Sequence, residues 1–254
     1  MADDNQRKKL ISITTACYNE EGKISELRDR LANIMAALPQ YDYEIICIDN
    51  KSTDGTRDEI KRICENDPKF KAIFNVRNFG HIRSSWHGFL QGKGDAVIFL
   101  RSDLEDPLEL IPQMIAKWEE GYKLSMAVLI PTVEKGLYPI LKNIYYKILN
   151  KFSQVNQIMG LTGFGLYDQE VMKVLRKLDD PYPYTRGLLA ELGWEIAEIP
   201  VNKPVNPKKG TKNKIFSYFD MGLLALVNHS KVPLRFAIFL GVIITLFSFL
   251  ISIT

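Results

Sequence analysis

The sequence is poor in the residues that build most zinc, redox and histidine-based sites. Three cysteines and three histidines occur among 254 residues, and Cys17, Cys47 and Cys64 do not have zinc-ligand spacing. Such cysteines are typical of a reducing compartment. No glycine-rich turn follows the first apolar segment, and there is no P-loop or Gly-x-Ser-x-Gly element, which excludes three common enzyme classes. The net charge of +3 is too balanced to indicate binding of nucleic acid.

The first 130 residues alternate between short apolar runs and longer segments with helical spacing of apolar residues. The runs predict strands, and the longer segments predict helices. The predicted strands are 10–15, 43–48, 70–75, 96–100 and 124–130, and the predicted helices are 21–38, 54–65, 82–91 and 107–120, the last beginning at Pro107. Repeated βα units predict an α/β fold with a mainly parallel sheet that is covered by helices.

Polar clusters follow the first four predicted strands. They are residues 18–21, 49–54, 77–81 and 102–106. Ligands of parallel sheets bind at the carboxyl ends of the strands, so the four clusters are expected to line one site. In the last cluster, the carboxylates of Asp103, Glu105 and Asp106 suit a divalent cation that holds a diphosphate. A solvated loop with helix-capping acids remains the alternative for this cluster alone.

The second half of the chain has features of a membrane-associated protein. Residues 236–253 are almost wholly apolar and about long enough to cross a bilayer, and a buried core helix is the alternative. Lys231 and Arg235 precede this segment, which places the preceding domain in the cytoplasm. Residues 137–152 form an amphipathic pattern that predicts either a core-packed helix or a helix on the membrane surface. Residues 1–9 are polar, so no secretory signal is expected there.

The polar clusters resemble the GT-A-fold family 2 glycosyltransferases, in particular the polyprenyl-phosphate hexosyltransferases of the dolichyl-phosphate mannose synthase and GtrB-like type. The resemblance lies in residues 18–21, 48–56, 77–81, 102–107, 210–212 and 230–235. It implies a GT-A catalytic domain with a mainly parallel sheet in residues 1–214. An amphipathic juxtamembrane helix and basic hinge are then expected in residues 215–235, and a C-terminal transmembrane helix in residues 236–254.

The resemblance also implies roles for individual residues. The expected nucleotide-binding residues are Ala16, Tyr18, Glu20, Asp49, Asp54, Asn78, Ser102 and Asp103. Asp103 and Glu105 are the expected ligands of Mg²⁺ or Mn²⁺, and they form the catalytic cluster together with Asp106. A basic loop supplies Lys208, Lys209 and Lys212 for the acceptor phosphate, and binding of anionic lipid headgroups is the alternative role of these lysines.

The sequence departs from the family pattern at several of these places. Arg101 stands where the family often has the first Asp of its metal motif, and Glu105 stands where Gln is usual. Asn50 replaces a second Asp in the cluster after the second strand. Gly163 and Gly165 replace the Asp and Arg that the family usually has. The contacts to the donor diphosphate and to the acceptor are therefore expected to differ from the family's.

The implied activity is inverting transfer of a hexose from a UDP- or GDP-sugar to a polyprenyl phosphate on the cytoplasmic face of a membrane. Such a phosphate is already an anion at neutral pH, since its second pKa is about 6, and it needs no general base. One alternative is transfer to a saccharide hydroxyl, with Asp106 or Asp168 as the base. Another is a non-catalytic membrane-bound member of the family. Membrane lipids are further partners, nucleic acid is not, and a homo-oligomer is left open.

Overall fold

One mixed sheet organises the chain in a computed structural model that describes residues 7–130, 160–178, 180, 183–202 and 232–253. Within these residues, seven strands pair in the order β3-β2-β1-β4-β6-β5-β7. The strands are β1 Lys9–Cys17, β2 Tyr41–Asp49, β3 Phe70–Phe74, β4 Ala96–Phe99, β5 Leu124–Leu129, β6 Leu161–Asp168 and β7 Ile196–Val201. All five strands predicted in the first 130 residues are present.

Among the described residues, the helices are α1 Lys23–Ala36, α2 Thr56–Asn66, α3 His81–Gln91, α4 Ile111–Glu119, α5 Gln169–Lys177, α6 Thr185–Leu192 and α7 Val232–Ile253. Helices α1 to α4 connect strands β1 to β5 as the alternating pattern predicts, α5 and α6 lie between β6 and β7, and α7 follows β7. The expected start of one helix at Pro107 is wrong. Pro107 has a ψ of 89°, which is not helical, and a 3₁₀ turn at Leu108–Leu110 precedes α4. Proline restricts φ but leaves ψ free, so its presence alone does not begin a helix.

The sheet is mainly parallel, as predicted, with one reversed strand. β1 pairs in parallel with β2 and β4, β2 with β3, and β5 with β7, whereas β6 is antiparallel to both β4 and β5. The strands β1 to β4 therefore end at the same edge of the sheet. This edge, called the carboxyl edge below, is where the four polar clusters meet.

Both faces of the sheet are buried. On one face, Ile11 and Ile13 of β1 belong to the same core cluster as Ile24, Leu27 and Leu31, which lie at helical spacing on α1. On the other face, the ring of Phe89 in α3 lies 5.6 Å from that of Phe99 and 4.7 Å from that of Tyr167. Burial on both faces is typical of α/β sheets, and it fixes the strand ends that carry the polar loops.

The helices α6 and α7 belong to a second compact unit. Large apolar side chains of α7 are exposed, among them Phe239 at 66% and Phe249 at 64%. Among the described residues, no helix combines the length and apolar character that crossing a membrane requires. The predicted transmembrane helix at 236–254 is therefore not confirmed. The predicted helix at 137–152, the basic loop and residues 215–231 lie outside the described residues.

Candidate functional site

The loops that follow β1 and β2 are joined by hydrogen bonds. The backbone N–H of Asn19 donates to Ser52 Oγ at 3.0 Å, and Asn19 Oδ1 accepts from the N–H of Thr53 at 2.8 Å. The N–H of Glu20 donates to Thr56 Oγ1 at 2.9 Å. The two loops therefore form one continuous wall of the carboxyl edge, although more than thirty residues separate them in sequence.

Asp49 is the most enclosed charged residue of this wall. It is the last residue of β2, and its exposed fraction is 0%. Its Oδ1 accepts from the N–H of Ser52 at 3.1 Å, and Arg57 Nε lies 2.8 Å from its Oδ2. An ion pair with a cation and a hydrogen bond from an N–H offset the free-energy cost of removing a carboxylate from water. Direct contact between Asp49 and a nucleotide therefore requires the Arg57 guanidinium to move aside.

Asn50 organises the loop after β3. Its Nδ2 donates to Asn78 Oδ1 at 3.0 Å, and its Oδ1 accepts from the N–H of Phe79 at 2.9 Å and from Asn75 Nδ2 at 3.2 Å. A carboxylate at this position would lack the amide donor that holds Asn78. Asn50 therefore connects the loops after β2 and β3, a role that the sequence analysis did not predict.

Arg101 lies among the three acidic residues that follow β4. Its backbone N–H donates to Asp106 Oδ2 at 2.8 Å, and its Nη2 and Nε donate to Asp106 Oδ1 at 2.9 and 3.2 Å. Its Nη1 lies 3.2 Å from Glu105 Oε2 and 3.4 Å from Asp103 Oδ2. Partial burial lowers the pKa of Arg101, but the hydrogen bond and charge of Asp106 outweigh this effect and raise it.

This arrangement does not fit a divalent cation. The three carboxylates lie close together, as predicted. However, Asp106 forms an ion pair with Arg101, and Asp103 and Glu105 both contact Nη1 of the same guanidinium. Within the described part of the chain, no three His, Cys, Asp or Glu side chains are grouped as metal ligands. The predicted Mg²⁺ or Mn²⁺ at Asp103 and Glu105 is therefore not confirmed.

Three further predicted nucleotide ligands lie close together in the fold: Ala16 near the end of β1, Tyr18 in the loop after β1 and Ser102 in the loop after β4. Ser102 Oγ donates to the carbonyl of Ala16 at 3.0 Å, which ties the loop after β4 to the end of β1. Tyr18 is 45% exposed and free to contact a ligand. All three residues are thus at the carboxyl edge, and their predicted contacts with a nucleotide stay predictions.

The remaining predicted nucleotide ligands have partners within the chain. Glu20 pairs with Lys23, and this hydrogen bond raises the pKa of Lys23. Asp54 Oδ1 accepts from Thr56 Oγ1 at 2.5 Å and from the Thr56 N–H at 3.1 Å. Desolvation opposes ionisation of Asp54, but the Thr56 bonds outweigh it and lower its pKa. Asn78 accepts from Asn50 and from the N–H of Gly80 at 2.8 Å.

Three non-glycine residues of the described chain have positive φ, and all three lie in the loops at the carboxyl edge. They are Asn19 at 56°, Lys51 at 66° and Leu104 at 63°. Asparagine tolerates this left-handed conformation, but lysine and leucine are strained in it by about 1–2 kcal/mol. Strain of this kind is concentrated at functional sites, so its position supports the assignment of a site to this edge.

Asp168 is wrong as a candidate base for this site. It pairs across the sheet with Ala96, the first residue of β4, and so lies at the opposite edge. Its Oδ2 accepts from Trp118 Nε1 at 2.7 Å, and its Oδ1 accepts from the N–H of Glu170 at 2.8 Å, which caps α5. The reversed direction of β6, which the sequence analysis did not predict, explains the error.

Some site residues were missed, and others lie outside the described residues. The pairing of Arg101 with Asp106 had a local signal, since opposite charges stand five residues apart in one loop. No local signal in the sequence indicated the pairing of Arg57 with Asp49, because a loop and a helical turn separate these two residues. Lys208, Lys209 and Lys212 lie outside the described residues, so their predicted role stays a prediction.

Known sequences are similar to this chain over most of its length. Residues 12–176 match the family described as glycosyl transferase family 2. The putative glycosyltransferase CsbB of Bacillus subtilis is 30% identical over 243 residues, which are 95% of this chain and 73% of that protein. The bactoprenol glucosyl transferase of Shigella phage SfV is 27% identical over 241 residues, which are 94% of this chain and 78% of that protein.

Solved structures share the fold at low sequence identity. Mannosyl-3-phosphoglycerate synthase from Rubrobacter xylanophilus superposes with a TM-score of 0.59 at 16% identity, covering 87% of this chain and 73% of that one. The mannosyltransferase PcManGT from Pyrobaculum calidifontis, in complex with GDP-Man and Mn²⁺, gives a TM-score of 0.54 at 18% identity. That superposition covers 82% of this chain but 60% of the mannosyltransferase, and at such identities it supports the fold alone.

Proposed function

Because the chain belongs to glycosyl transferase family 2, we propose that it transfers a hexose from a UDP- or GDP-sugar to a polyprenyl phosphate at a membrane. The family match and the glycosyltransferase relatives make it a transferase and confirm the resemblance. The α/β GT-A fold with a mainly parallel sheet is also confirmed. The donor, the acceptor, the membrane and the stereochemistry are the proposed parts.

The observation that supports a donor site is the meeting of four polar loops at the carboxyl edge. Hydrogen bonds join the loop after β1 to the loop after β2 and the loop after β4 to the end of β1, and Asn50 joins the loop after β3. In open α/β sheets this edge is where ligands bind. The exposed ring of Tyr18 offers a stacking contact to a nucleotide base, and Asp49 offers a polar contact once the Arg57 guanidinium has moved aside.

The polyprenyl phosphate acceptor is supported by the named relatives and by the absence of a free base among the predicted candidates. The phage relative is a bactoprenol glucosyl transferase. A saccharide hydroxyl would need a carboxylate to remove its proton. Of the two candidates, Asp106 is held by three donors of Arg101, and Asp168 lies at the other edge. A phosphate acceptor is already ionised and needs neither.

The proposed reaction is a single displacement. An oxygen of the acceptor phosphate forms a bond to the anomeric carbon, the bond from that carbon to the donor diphosphate breaks, and the nucleoside diphosphate leaves with the electron pair. The configuration at the anomeric carbon inverts. The protein's contribution is to hold two anionic groups beside one carbon, which requires fixed cations and exclusion of water.

Association with the membrane is supported by α7. This helix spans 22 residues and exposes Ile238, Phe239 and Phe249. Apolar side chains in such numbers are unfavourable in water and suit a lipid surface. Lys231 and Arg235, near the start of α7 in the sequence, support a cytoplasmic location of the catalytic domain, at the inner membrane if the chain is bacterial.

An assay of nucleoside diphosphate release tests the proposal. The full chain in detergent micelles is incubated with UDP-glucose, UDP-N-acetylglucosamine or GDP-mannose, each with undecaprenyl phosphate, dolichyl phosphate, an oligosaccharide or no acceptor. Undecaprenol without its phosphate is the matched control for the lipid tail. Release that depends on the lipid phosphate supports the proposal. Release with an oligosaccharide acceptor alone would favour the hydroxyl reaction, and no release with any pair would favour a non-catalytic protein.

A further inference from the structure

Arg101 occupies the place where its family often has the first acidic residue of a metal motif. It lies two residues after the end of β4, and its side chain is 45% exposed at the carboxyl edge. All three nitrogens of its guanidinium contact carboxylates of the same loop. A positive charge thus already stands among the acids where a divalent cation was expected.

The guanidinium is held much more tightly on one side than on the other. Asp106, whose side chain is 4% exposed, accepts from the backbone N–H, Nε and Nη2 of Arg101 at 2.8, 3.2 and 2.9 Å. Nη1 contacts Glu105 and Asp103 at 3.2 and 3.4 Å, and these side chains are 42% and 31% exposed. A buried two-point contact is strong, whereas exposed ion pairs contribute little. Asp106 therefore fixes the group, and Nη1 is free to exchange partners.

We propose that Arg101 is the cation that binds the donor diphosphate, and that it makes donor binding independent of a divalent metal. A guanidinium matches phosphate oxygens in geometry, and its charge is permanent. Nη1 leaves Glu105 and Asp103 for a diphosphate oxygen, while Asp106 positions the group from behind. This inference rests on the proposed function and deepens it by naming the residue that replaces the metal.

Other cations at the same edge add to the attraction for an anion. Lys51 and Arg77, in the loops after β2 and β3, are exposed, and neither forms an ion pair with a residue that the structure describes. One guanidinium does not balance three carboxylates, so the rival arrangement is a metal that displaces Nη1 and binds Asp103 and Glu105. The two arrangements predict different effects of metal removal on the affinity for the nucleotide.

Binding measurements on the full chain separate the two arrangements. Isothermal titration calorimetry follows Mn²⁺ alone, and then UDP and GDP in EDTA and in saturating Mn²⁺. For the unmodified protein, we expect weak Mn²⁺ binding and a nucleotide affinity that changes less than about threefold with EDTA, about 0.7 kcal/mol. Arg101→Asp supplies the missing carboxylate. We expect it to bind Mn²⁺ at least about tenfold more tightly and to lose nucleotide affinity about tenfold in EDTA.

Two further variants control for charge and for positioning. Arg7→Asp makes the same change at the other end of β4, where Arg7 pairs with Asp95 at 3.4 Å, and should behave as the unmodified protein. Asp106→Asn leaves Arg101 in place but weakens its anchor. It should lower nucleotide affinity about threefold without a gain in Mn²⁺ affinity. A merely structural role of Asp106 would not change nucleotide affinity while leaving Mn²⁺ affinity as it was. Circular dichroism and thermal melting test whether each variant is folded.

Two outcomes would overturn the inference alone. One is an unmodified protein that binds Mn²⁺ as tightly as Arg101→Asp. The other is nucleotide binding by the unmodified protein that collapses in EDTA. If neither UDP nor GDP binds to any variant in any condition, the donor site itself is wrong and the proposed function fails as well.

Discussion

The guanidinium of Arg57 lies 2.8 Å from the carboxylate of Asp49, measured from Nε to Oδ2, and Asp49 is fully enclosed. The residue expected to bind a nucleotide base is thus covered by a cation from the first turn of α2. The Arg57 guanidinium also stacks over Phe74, with 5.0 Å between its central carbon and the ring centroid. The pair therefore belongs to the packing of the site as well as to its chemistry.

Removing one partner of this pair should destabilise the fold. In Arg57→Gln, Asp49 remains buried without its cation, and we expect a loss of about 1–3 kcal/mol in the free energy of unfolding. The double variant Asp49→Asn/Arg57→Gln should recover part of that loss, because no buried charge then remains unpaired. Urea denaturation measures both. Lys61→Gln breaks the exposed pair with Asp58 and should change stability by less than about 1 kcal/mol.

Asp49 should also contribute to nucleotide binding. We expect Asp49→Ala to weaken binding of the preferred nucleoside diphosphate by about 1–3 kcal/mol, since a polar contact to the ligand would be lost. Calorimetry on the variant, after melting has confirmed its fold, measures the change. Unchanged affinity would show that the nucleotide binds elsewhere on the edge.

Asn50→Ala should loosen the loop after β3. The variant loses two donated hydrogen bonds, to Asn78 Oδ1 and the Gly80 carbonyl, and two accepted ones, from the Phe79 N–H and Asn75 Nδ2. We expect a loss of about 2–3 kcal/mol, and faster hydrogen exchange at the Phe79 amide. Asn66→Ala is the matched control, because the side chain of Asn66 is exposed and donates one hydrogen bond, to the carbonyl of Arg62 at 2.7 Å. Equal losses in the two variants would contradict the role of Asn50.

Glu44 should make the stability of the sheet dependent on pH. Burial raises the pKa of Glu44, but hydrogen bonds from Lys71 at 2.5 Å and from Ser12 at 2.6 Å outweigh it and lower the pKa. A depressed folded-state pKa stabilises the protein above the unfolded value of about 4.3, and this contribution is lost as the pH falls through the folded value. Glu44→Gln should therefore destabilise at pH 7 by about 1–2 kcal/mol.

The difference between Glu44→Gln and the unmodified protein should shrink in acid. Thermal melting at a series of pH values between neutrality and about pH 3 follows it. Glu26→Gln is the control, because Glu26 is exposed on α1 and no hydrogen bond of its side chain is described. A difference that grows as the pH falls would contradict the predicted direction of the pKa shift.

Gly165 should not tolerate a side chain. A Cβ atom there would lie 2.3 Å from Met126 Sδ and 2.8 Å from the carbonyl oxygen of Ser125 on β5. The Met126 side chain can move, but the backbone oxygen cannot move without disturbing the pairing of β5 and β6. We expect Gly165→Ala to lose about 1–3 kcal/mol of unfolding free energy. Gly241→Ala, which meets no atom within 4 Å, should be neutral or slightly stabilising.

The basic loop should act on the acceptor and not on the donor. Changing Lys208, Lys209 and Lys212 to Glu should raise the KM for the lipid phosphate, because each cation near a bilayer surface contributes about 1 kcal/mol. The affinity for the nucleotide should stay nearly unchanged. Lys173→Glu, at an exposed position of α5, controls for altered net charge. Loss of nucleotide binding with retained lipid binding would assign the loop to the donor site.

Local pattern determined the elements and the edge of the sheet at which the polar clusters meet. Apolar spacing is a property of neighbouring residues, so the strands and helices of the first 130 residues were predictable to within a few residues. Right-handed βαβ connections then bring the ends of β1 to β4 to one edge, which is why Tyr18, Asp49, Asn78 and Asp103 could be placed together from sequence.

Tertiary structure alone decided which groups within the site touch. β6 enters the sheet between β4 and β5 and runs antiparallel to both, which moved Asp168 to the far edge. Asn50 reaches Asn78, and Arg57 covers Asp49, because loops distant in sequence meet in space. Arg101 is close to its acids in sequence, yet its contacts depend on the loop conformation that Leu104 adopts with a φ of 63°. Such contacts follow from strand pairing and loop closure, which hydrophobic periodicity does not encode.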